Sequence, residues 1–277
     1  MMNKLRFLFF LLFFIRSTFR FDCFASISKE DSLKIISLFE KELISPVQNK
    51  FNAHFKIFFN TDVVLQRPLV AASADRSEND WNISILGASS LHPKMTNDAF
   101  VILLCHELGH HFGGAPRKIE TDGKIRWSSV EGQADYYATA ICAKRIFELM
   151  PASFFDSFTY PREIKKKCEE NSRSRKAMLL CARSIIASEA FIQAVTERNL
   201  DWWSTDSRIP QSTIGVYPVS NNYEYPSDEC RMNTLVLGSL CQEVISPNND
   251  DLLGLTKNKI FCSGQFSRPS CWYTGSN

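Results

Sequence analysis

Two histidines lie four residues apart in the segment His106-Glu107-Leu108-Gly109-His110, and this spacing constrains the fold more than any other feature of the chain. On an α-helix each residue turns the chain by roughly 100°, which places His110 about 40° and Glu107 about 100° from His106. The two imidazoles can then bind one metal ion while the carboxylate reaches a water molecule on that ion. The pentad therefore predicts a helix that carries part of a metal site.

The residues on both sides of the pentad predict where this helix begins and ends. Thr96 offers an N-cap, Asp98 adds negative charge to the first turn, and residues 99–104 are apolar. Gly113 and Gly114 predict its C-terminal end. The alternative is a buried helix whose histidines bond to each other or to the backbone, because so short a pattern also arises by chance.

A catalytic zinc site needs a third protein ligand, and the spacing of the sequence separates three candidates. One large class of zinc peptidases has a histidine six residues after the pentad, but here that position is Pro116, which has no ligand atom. His111 lies about 140° from His106 on the helical wheel, so we expect it to pack or to face solvent. Glu131 remains as the candidate.

Glu131 belongs to a second predicted helix, which is capped by Ser128 or Ser129. Asp135 lies one turn further on, so the two carboxylates project from the same face. One can bind the metal ion while the other accepts a hydrogen bond from a ligand histidine and fixes its tautomer. Two solvated acids at the start of a helix are the alternative interpretation.

The pentad followed by Glu-x-x-x-Asp resembles the gluzincins, zinc peptidases typified by thermolysin and by the membrane-linked prenyl-protein peptidases. The likeness covers about residues 80–145, and the pattern Glu-x-x-Ala-Asp-x-x-Ala is especially similar to the second group. The resemblance implies a zincin-like fold that holds one catalytic zinc ion, Zn2+. It also implies roles for five residues: His106, His110 and Glu131 as metal ligands, Glu107 as the base, and Asp135 as the partner of a ligand, in particular of His106.

The expected chemistry is hydrolysis of a peptide bond. Three protein ligands leave zinc one position for water, whose pKa the metal lowers to about 7. Glu107 then accepts the proton of this water and passes it to the leaving amine. Thermolysin-like enzymes also stabilise the oxyanion with a downstream histidine and a tyrosine, but no histidine follows His111 in this chain. Four other residues are candidates for that role: Tyr136, Tyr137, Tyr223 and Arg231.

A strand is predicted just before the pentad helix. Residues 81–87 alternate apolar and polar side chains, which is typical of a strand with one buried face. In gluzincins an edge strand at this place pairs with the extended substrate, and unpaired edge groups bind peptides readily. An ordinary strand within a sheet is an equally good interpretation.

The first 25 residues have the pattern of a signal peptide. Lys4 and Arg6 precede nine apolar residues, 7–15, a stretch too short to span a bilayer. Small residues at Cys23 and Ala25 favour cleavage before Ser26. We therefore expect a secreted or periplasmic protein with no stable membrane anchor after cleavage, and an uncleaved anchor is the alternative.

Charge and cysteine content bear on partners and compartment. Cleavage removes four basic residues and one acidic residue, which changes the formal net charge from +2 to about −1 and leaves no basic patch for nucleic acid. An even number of cysteines remains, which predicts disulfide bonds in an exported chain. A continuous helix over residues 162–198 would hold Cys168 and Cys181 about 20 Å apart, too far to bond, and the same argument separates Cys230 from Cys241.

The predicted architecture is α+β. Residues 26–150 form a zincin-like core with a small, mostly antiparallel sheet and two metal-bearing helices, and residues 151–277 form a helical, disulfide-tied part that closes the cleft. Residues 201–226 are predicted to be a long loop, and residues 227–244 the last helix. Further elements are expected at these positions: a helix over 31–43 and strands over 54–59, 63–72 and 81–86.

Three classes of function fit this pattern. The leading one is a secreted zinc endopeptidase whose partners are protein or peptide substrates. The others are a zinc-dependent amidase that acts on cell-wall crosslinks and a catalytically silent binding protein with a zincin fold. Glu107 argues against the silent protein, because a retained base has no structural role to fill.

Overall fold

The structure is a computed structural model that describes residues 26–60, 70–86, 92–119, 123–150, 160–196, 226–242, 262 and 264–273. Three sequence predictions lie wholly or mostly outside these residues: the signal peptide, the loop over 201–226 and the strand over 63–72. Tyr223 also lies outside them.

Helices make up most of the described chain. They are α1 (Lys29–Phe39), α2 (Ser45–Phe51), α3 (Asn97–Phe112), α4 (Glu131–Tyr137), α5 (Ala143–Leu149), α6 (Arg162–Asn171), α7 (Arg175–Thr196) and α8 (Asp228–Leu240). A π-helical turn, Glu40–Ile44, joins α1 to α2, and a second one, Ala138–Cys142, joins α4 to α5. The strands are β1 (His54–Asn60), β2 (Ala72–Ser77), β3 (Asp80–Leu86), β4 (Arg117–Ile119) and β5 (Ile125–Ser129). The prediction of an α+β fold is confirmed.

The larger sheet is mixed, in the order β1-β3-β2. β1 runs parallel to β3, whereas β2 runs antiparallel to it. A mostly antiparallel sheet was therefore the wrong expectation for these three strands. β3 is the central strand of these three, so its residues 80–86 do not form an edge. The interpretation of a substrate-binding edge is wrong here, and the alternative of an ordinary strand within a sheet is confirmed. The alternation of apolar and polar residues indicates only that one face of the strand is buried. It does not indicate whether one strand or two pair with it.

Helix α3 forms the centre of the molecule and carries the pentad. Its residues from Asp98 to Phe112 are all buried. The Thr96 side chain accepts a hydrogen bond from the N–H of Ala99 at 3.1 Å, and Gly114 takes a left-handed conformation with φ +81°. The predicted cap and the predicted end of this helix are confirmed.

Helices α3 and α4 touch through their backbones. A Cβ atom built on Gly109 would lie 2.8 Å from both Cα and the carbonyl oxygen of Ala134, which is closer than real Cβ contacts. Glycine at this position of the pentad therefore allows the two helices to approach to main-chain distance.

Four disulfide bonds tie the helices together. Cys105 of α3 bonds to Cys142 at the end of the second π turn. The other bonds are Cys168–Cys181, Cys230–Cys271 and Cys241–Cys262. The separation of Cys230 from Cys241 on one helix is confirmed. The expectation that Cys168 and Cys181 cannot bond is wrong, because the predicted continuous helix breaks at residues 172–174 and its two parts, α6 and α7, fold back against each other.

Helix α7 packs against α3, α6 and α8. Its length and composition alone would let it cross a membrane, but two thirds of its most apolar stretch is buried inside the protein, as expected of a core helix. Arg183 of α7 is 2% exposed, and its guanidinium donates two hydrogen bonds of 2.7 Å to the carboxylate of Asp98 in the first turn of α3. This buried ion pair fixes α7 to the start of the pentad helix.

Replacement of Arg183 by Met should lower the free energy of unfolding by about 3–5 kcal/mol, because it leaves the buried Asp98 carboxylate without its cation. Urea unfolding followed by circular dichroism, with the disulfides intact, measures the change. Lys176→Met is the control, because Lys176 also lies on α7 and its pair with Glu148 of α5 is largely exposed to solvent. Loss of that pair should cost at most about 1 kcal/mol. Equal losses in the two variants would contradict the importance of the buried pair.

Candidate metal centre

Three potential ligand atoms converge where α3 meets α4. Nε2 of His106 lies 3.2 Å and Nε2 of His110 lies 3.5 Å from Oε2 of Glu131. All three atoms lie within 4.8 Å of one another, and all three side chains are buried. The structure thus brings together the three residues that the sequence predicted as ligands, and this cluster can hold a metal ion.

The outer nitrogens of the two imidazoles fix which tautomer each ring adopts. Nδ1 of His110 lies 2.9 Å from the carbonyl oxygen of Ser129, which can only accept, so Nδ1 donates. Nδ1 of His106 lies 2.7 Å from Oδ1 of Asp135. In the neutral rings both Nε2 atoms then carry lone pairs that point toward Glu131, as ligand histidines require.

One oxygen of Glu131 indicates that a cation would fit between the three side chains. Its Oε2 is buried and has no hydrogen-bond partner in the described part of the chain. A buried carboxylate oxygen without a donor, facing two lone-pair nitrogens, is costly unless a positive charge lies between them. Two imidazoles and one carboxylate are a common ligand set of catalytic zinc, although the geometry by itself does not identify the metal.

The electrostatics of the cluster favour positive charge. Burial alone lowers the pKa of His106, but the carboxylates of Asp135, Glu131 and Glu107 outweigh burial and raise the pKa to about 10. Burial raises the pKa of Glu131, but the two adjacent imidazoles of His106 and His110 outweigh burial and hold the pKa well below its usual range. The cluster therefore attracts a cation, whether a proton or a metal ion.

Asp135 links the cluster to helix α8. The side chain is 0% exposed, and both of its oxygens accept hydrogen bonds from Arg231, at 2.8 and 2.9 Å. Burial would raise the pKa of Asp135, but Arg231 and His106 lower it, so the carboxylate stays charged. Arg231 therefore clamps Asp135, a role that sequence reasoning missed when it treated Arg231 as an oxyanion candidate.

The two tyrosine candidates for the oxyanion have other surroundings. Tyr136 donates its hydroxyl proton to the carbonyl of Phe266 at 2.6 Å. Tyr137 is wholly buried, and burial raises its pKa. Neither is among the residues that line the cleft in the described part of the chain. The structure therefore does not place Tyr136 or Tyr137, which the sequence offered for the oxyanion, in the cleft.

His111 lies away from the cluster, as the helical wheel predicted. Its Nε2 lies 3.1 Å from the carbonyl oxygen of Asn82 and donates to it, and its ring stacks with Trp81 and with Trp127. Burial lowers the pKa of His111 to about 3, so the ring is neutral near pH 7. His111 thus ties α3 to the central strand β3.

The start of α4 differs from the prediction. Ser128 and Ser129 end strand β5, and the N-cap position is Val130, which makes no side-chain cap. The Ser129 hydroxyl instead donates to the carbonyl of Gly114 at 2.8 Å. Ser129 therefore ties β5 to the end of α3, and its carbonyl reaches His110.

A cleft of about 490 Å³ opens onto the cluster. Residues 72–75 of β2 form one wall, the hairpin of β4 and β5 forms the other, and Glu107, His110 and Glu131 lie at its base. Glu107 is 5% exposed, and burial raises its pKa despite the opposing charges of His106 and His110. A raised pKa suits a general base, because it brings proton affinity closer to neutral pH.

Lys118 of β4 is a residue of this cleft that the sequence did not single out. Its Nζ lies 2.8 Å from Oε1 of Glu131. The contact joins a short hairpin strand to a helix start thirteen residues later, and no periodic pattern indicates such a pair.

Comparison with protein-family models found no matching family. Comparisons with curated proteins and with solved structures found no significant similarity either.

We expect the purified protein to bind one divalent metal ion, and Glu131→Ala to weaken that binding strongly, because the variant removes one of three converging ligand atoms. Competition with a chelator of known affinity gives the dissociation constant, and elemental analysis gives the stoichiometry. Glu163→Ala, at an exposed position of α6, is the control. Tight one-to-one binding by Glu131→Ala would exclude Glu131 as a ligand.

Replacement of Asp135 by Asn should reduce metal affinity by about 10–100-fold, because Asn cannot carry the charge that holds both Arg231 and the Nδ1 proton of His106. The same competition measures the effect, and circular dichroism verifies the fold. Glu229→Gln changes an exposed acid on α8 and should leave the affinity unchanged. An unaltered affinity in Asp135→Asn would reduce the carboxylate to a packing role.

Proposed function

We propose that this protein is an extracytoplasmic zinc metallopeptidase of zincin-like fold, with His106, His110 and Glu131 as ligands. One observation carries the proposal. Three possible ligand atoms lie within 4.8 Å of one another beside an open cleft, which His110, Glu131 and the buried carboxylate of Glu107 help to line. Zinc at this cluster would supply a Lewis acid for the scissile carbonyl and lower the pKa of the attacking water.

Side chains of the protein transfer the proton and orient the ligand histidines. Glu107 accepts a proton from the attacking water on its carboxylate and passes it to the nitrogen of the leaving amine. The Ser129 carbonyl orients His110, and Asp135 orients His106. Arg231 keeps Asp135 ionised in a buried place, so that the orientation of His106 does not depend on solvent.

Strand β2 is the proposed backbone receptor for an extended substrate. Among the described strands it pairs with β3 alone, which leaves its other edge toward the cleft. Backbone N–H and C=O groups at a sheet edge bind an extended peptide by adding it as another strand. The role that the sequence suggested for β3 is thus proposed for β2.

The cysteines support the proposed compartment. Four disulfide bonds fit an oxidising environment outside the cytoplasm. Export through the segment 1–25 gives a secreted or periplasmic enzyme.

The test is hydrolysis of casein and of a mixture of quenched peptides by the zinc-loaded protein. Glu107→Gln should reduce turnover about 100-fold or more, because it removes the base, and its metal content should stay unchanged. Glu163→Gln, far along the chain on α6, is the control. Undiminished turnover in Glu107→Gln would overturn the mechanism. Release of fragments from cell wall without peptide cleavage would identify the amidase instead.

A further inference from the structure

The two carboxylate oxygens of Glu131 face different partners. Oε2 faces the Nε2 atoms of His106 and His110, whereas Oε1 accepts a hydrogen bond from Nζ of Lys118 at 2.8 Å. Glu131 is 3% exposed, and the Lys118 side chain is 32% exposed on the wall of the cleft. One oxygen is thus available to a metal ion while the other is already bonded.

The backbone holds Lys118 at this place. The N–H of Val130, the residue before Glu131, donates to the carbonyl of Pro116 at 3.0 Å. Arg117 pairs with Ser129, and the register of the hairpin shifts between Arg117 and Ile119, at Lys118 itself. Irregular pairing of this kind redirects a side chain, and here the residue it affects bonds to the start of α4. The lysine and the glutamate are therefore carried by one hydrogen-bonded unit.

Two ion pairs adjoin the ligand cluster. Asp135 is paired with Arg231, and Glu131 is paired with Lys118. Each pair joins a carboxylate that supports the metal cluster to a cation outside it. The pair of Asp135 and Arg231 orients a histidine. By analogy, the pair of Glu131 and Lys118 can orient the Glu131 carboxylate.

We propose that Lys118 is a positioning residue that holds Oε1 of Glu131 away from the metal, so that Glu131 binds through Oε2 alone. This inference rests on the proposed function, since it concerns how that metal is bound. A charge-assisted hydrogen bond of this length is strong enough to compete for a carboxylate oxygen. The ammonium also offsets part of the negative charge of Glu131, so a metal ion held by Glu131 would be a stronger Lewis acid.

The proposal predicts different effects of a Lys118 substitution on metal affinity and on turnover. Lys118 is a cation near a divalent ion, so its removal should not weaken metal binding, because a repulsion disappears. Turnover should fall, because Glu131 is then free to use both oxygens and donates more negative charge. We expect Lys118→Met to lower kcat about tenfold with little change in KM. Lys118→Arg keeps a donor and should restore much of the loss.

The decisive experiment replaces the native metal with Co2+, whose visible absorption reports the ligands around it. Lys118→Met should change that spectrum without weakening Co2+ affinity, and Lys118→Arg should return it toward wild type. Lys124→Met removes another lysine of the cleft wall and should leave the spectrum unchanged. Circular dichroism verifies that each variant is folded.

The outcomes separate the two proposals. A wild-type protein that binds no Co2+ overturns the metal site, and with it the role of Lys118. A wild-type protein that binds Co2+ but hydrolyses no peptide overturns the peptidase, while the spectra still test Lys118. An unchanged spectrum in Lys118→Met, or a tenfold loss of Co2+ affinity, overturns the positioning role.

Discussion

The buried carboxylate of Asp135 connects the parts of the structure on which the site depends. It lies on α4, accepts from His106 of α3, and is clamped by Arg231 of α8. An unpaired carboxylate in this position would be driven toward its neutral form by burial, and the orientation of His106 would be lost. Helix α8 of the C-terminal half is therefore part of the candidate metal centre, because it supplies the cation that keeps Asp135 charged.

The chain around Arg231 explains why this clamp stays in place. The neighbouring Cys230 bonds to Cys271, and the indole of Trp272 donates to the hydroxyl of Thr234 at 2.8 Å. The same indole covers Gly132, where an added Cβ would lie 2.3 Å from the ring. The disulfide-tied tail thus packs on both α8 and α4, close to the residues that carry Arg231 and Asp135.

Local spacing predicted the parts of the site that lie within one or two helical turns. The geometry of the pentad, the shared face of Glu131 and Asp135, and the exclusion of His111 follow from the helical repeat. That the two helices meet at one cluster was implied by the resemblance to gluzincins, and the structure brings these groups together. Arg231 and Lys118 could not be predicted in this way. Both act across long-range contacts that depend on how separate elements pack, and a single arginine or lysine in a polar segment carries no distinguishing pattern.

In the fold, too, local elements could be predicted from the sequence, whereas their arrangement could not. Periodicity and capping located α3, α8 and β1, because their signals are local. The strand order was not predictable, since a half-buried strand has the same alternation at the centre of a sheet as at its edge. The break between α6 and α7 was missed because residues 172–174 are polar rather than glycine or proline, so the helical pattern seemed to continue.

Gly109 gives the metal cluster a rigidity that its side chains alone would not provide. Two helices kept apart by side chains can change their separation when rotamers change, whereas α3 and α4 already touch through their main chains at Ala134. The distance between the histidine pair and Glu131 is therefore set by backbone contact. A metal ion at this cluster would have to match that distance, because glycine at position 109 lets the two backbones fix it.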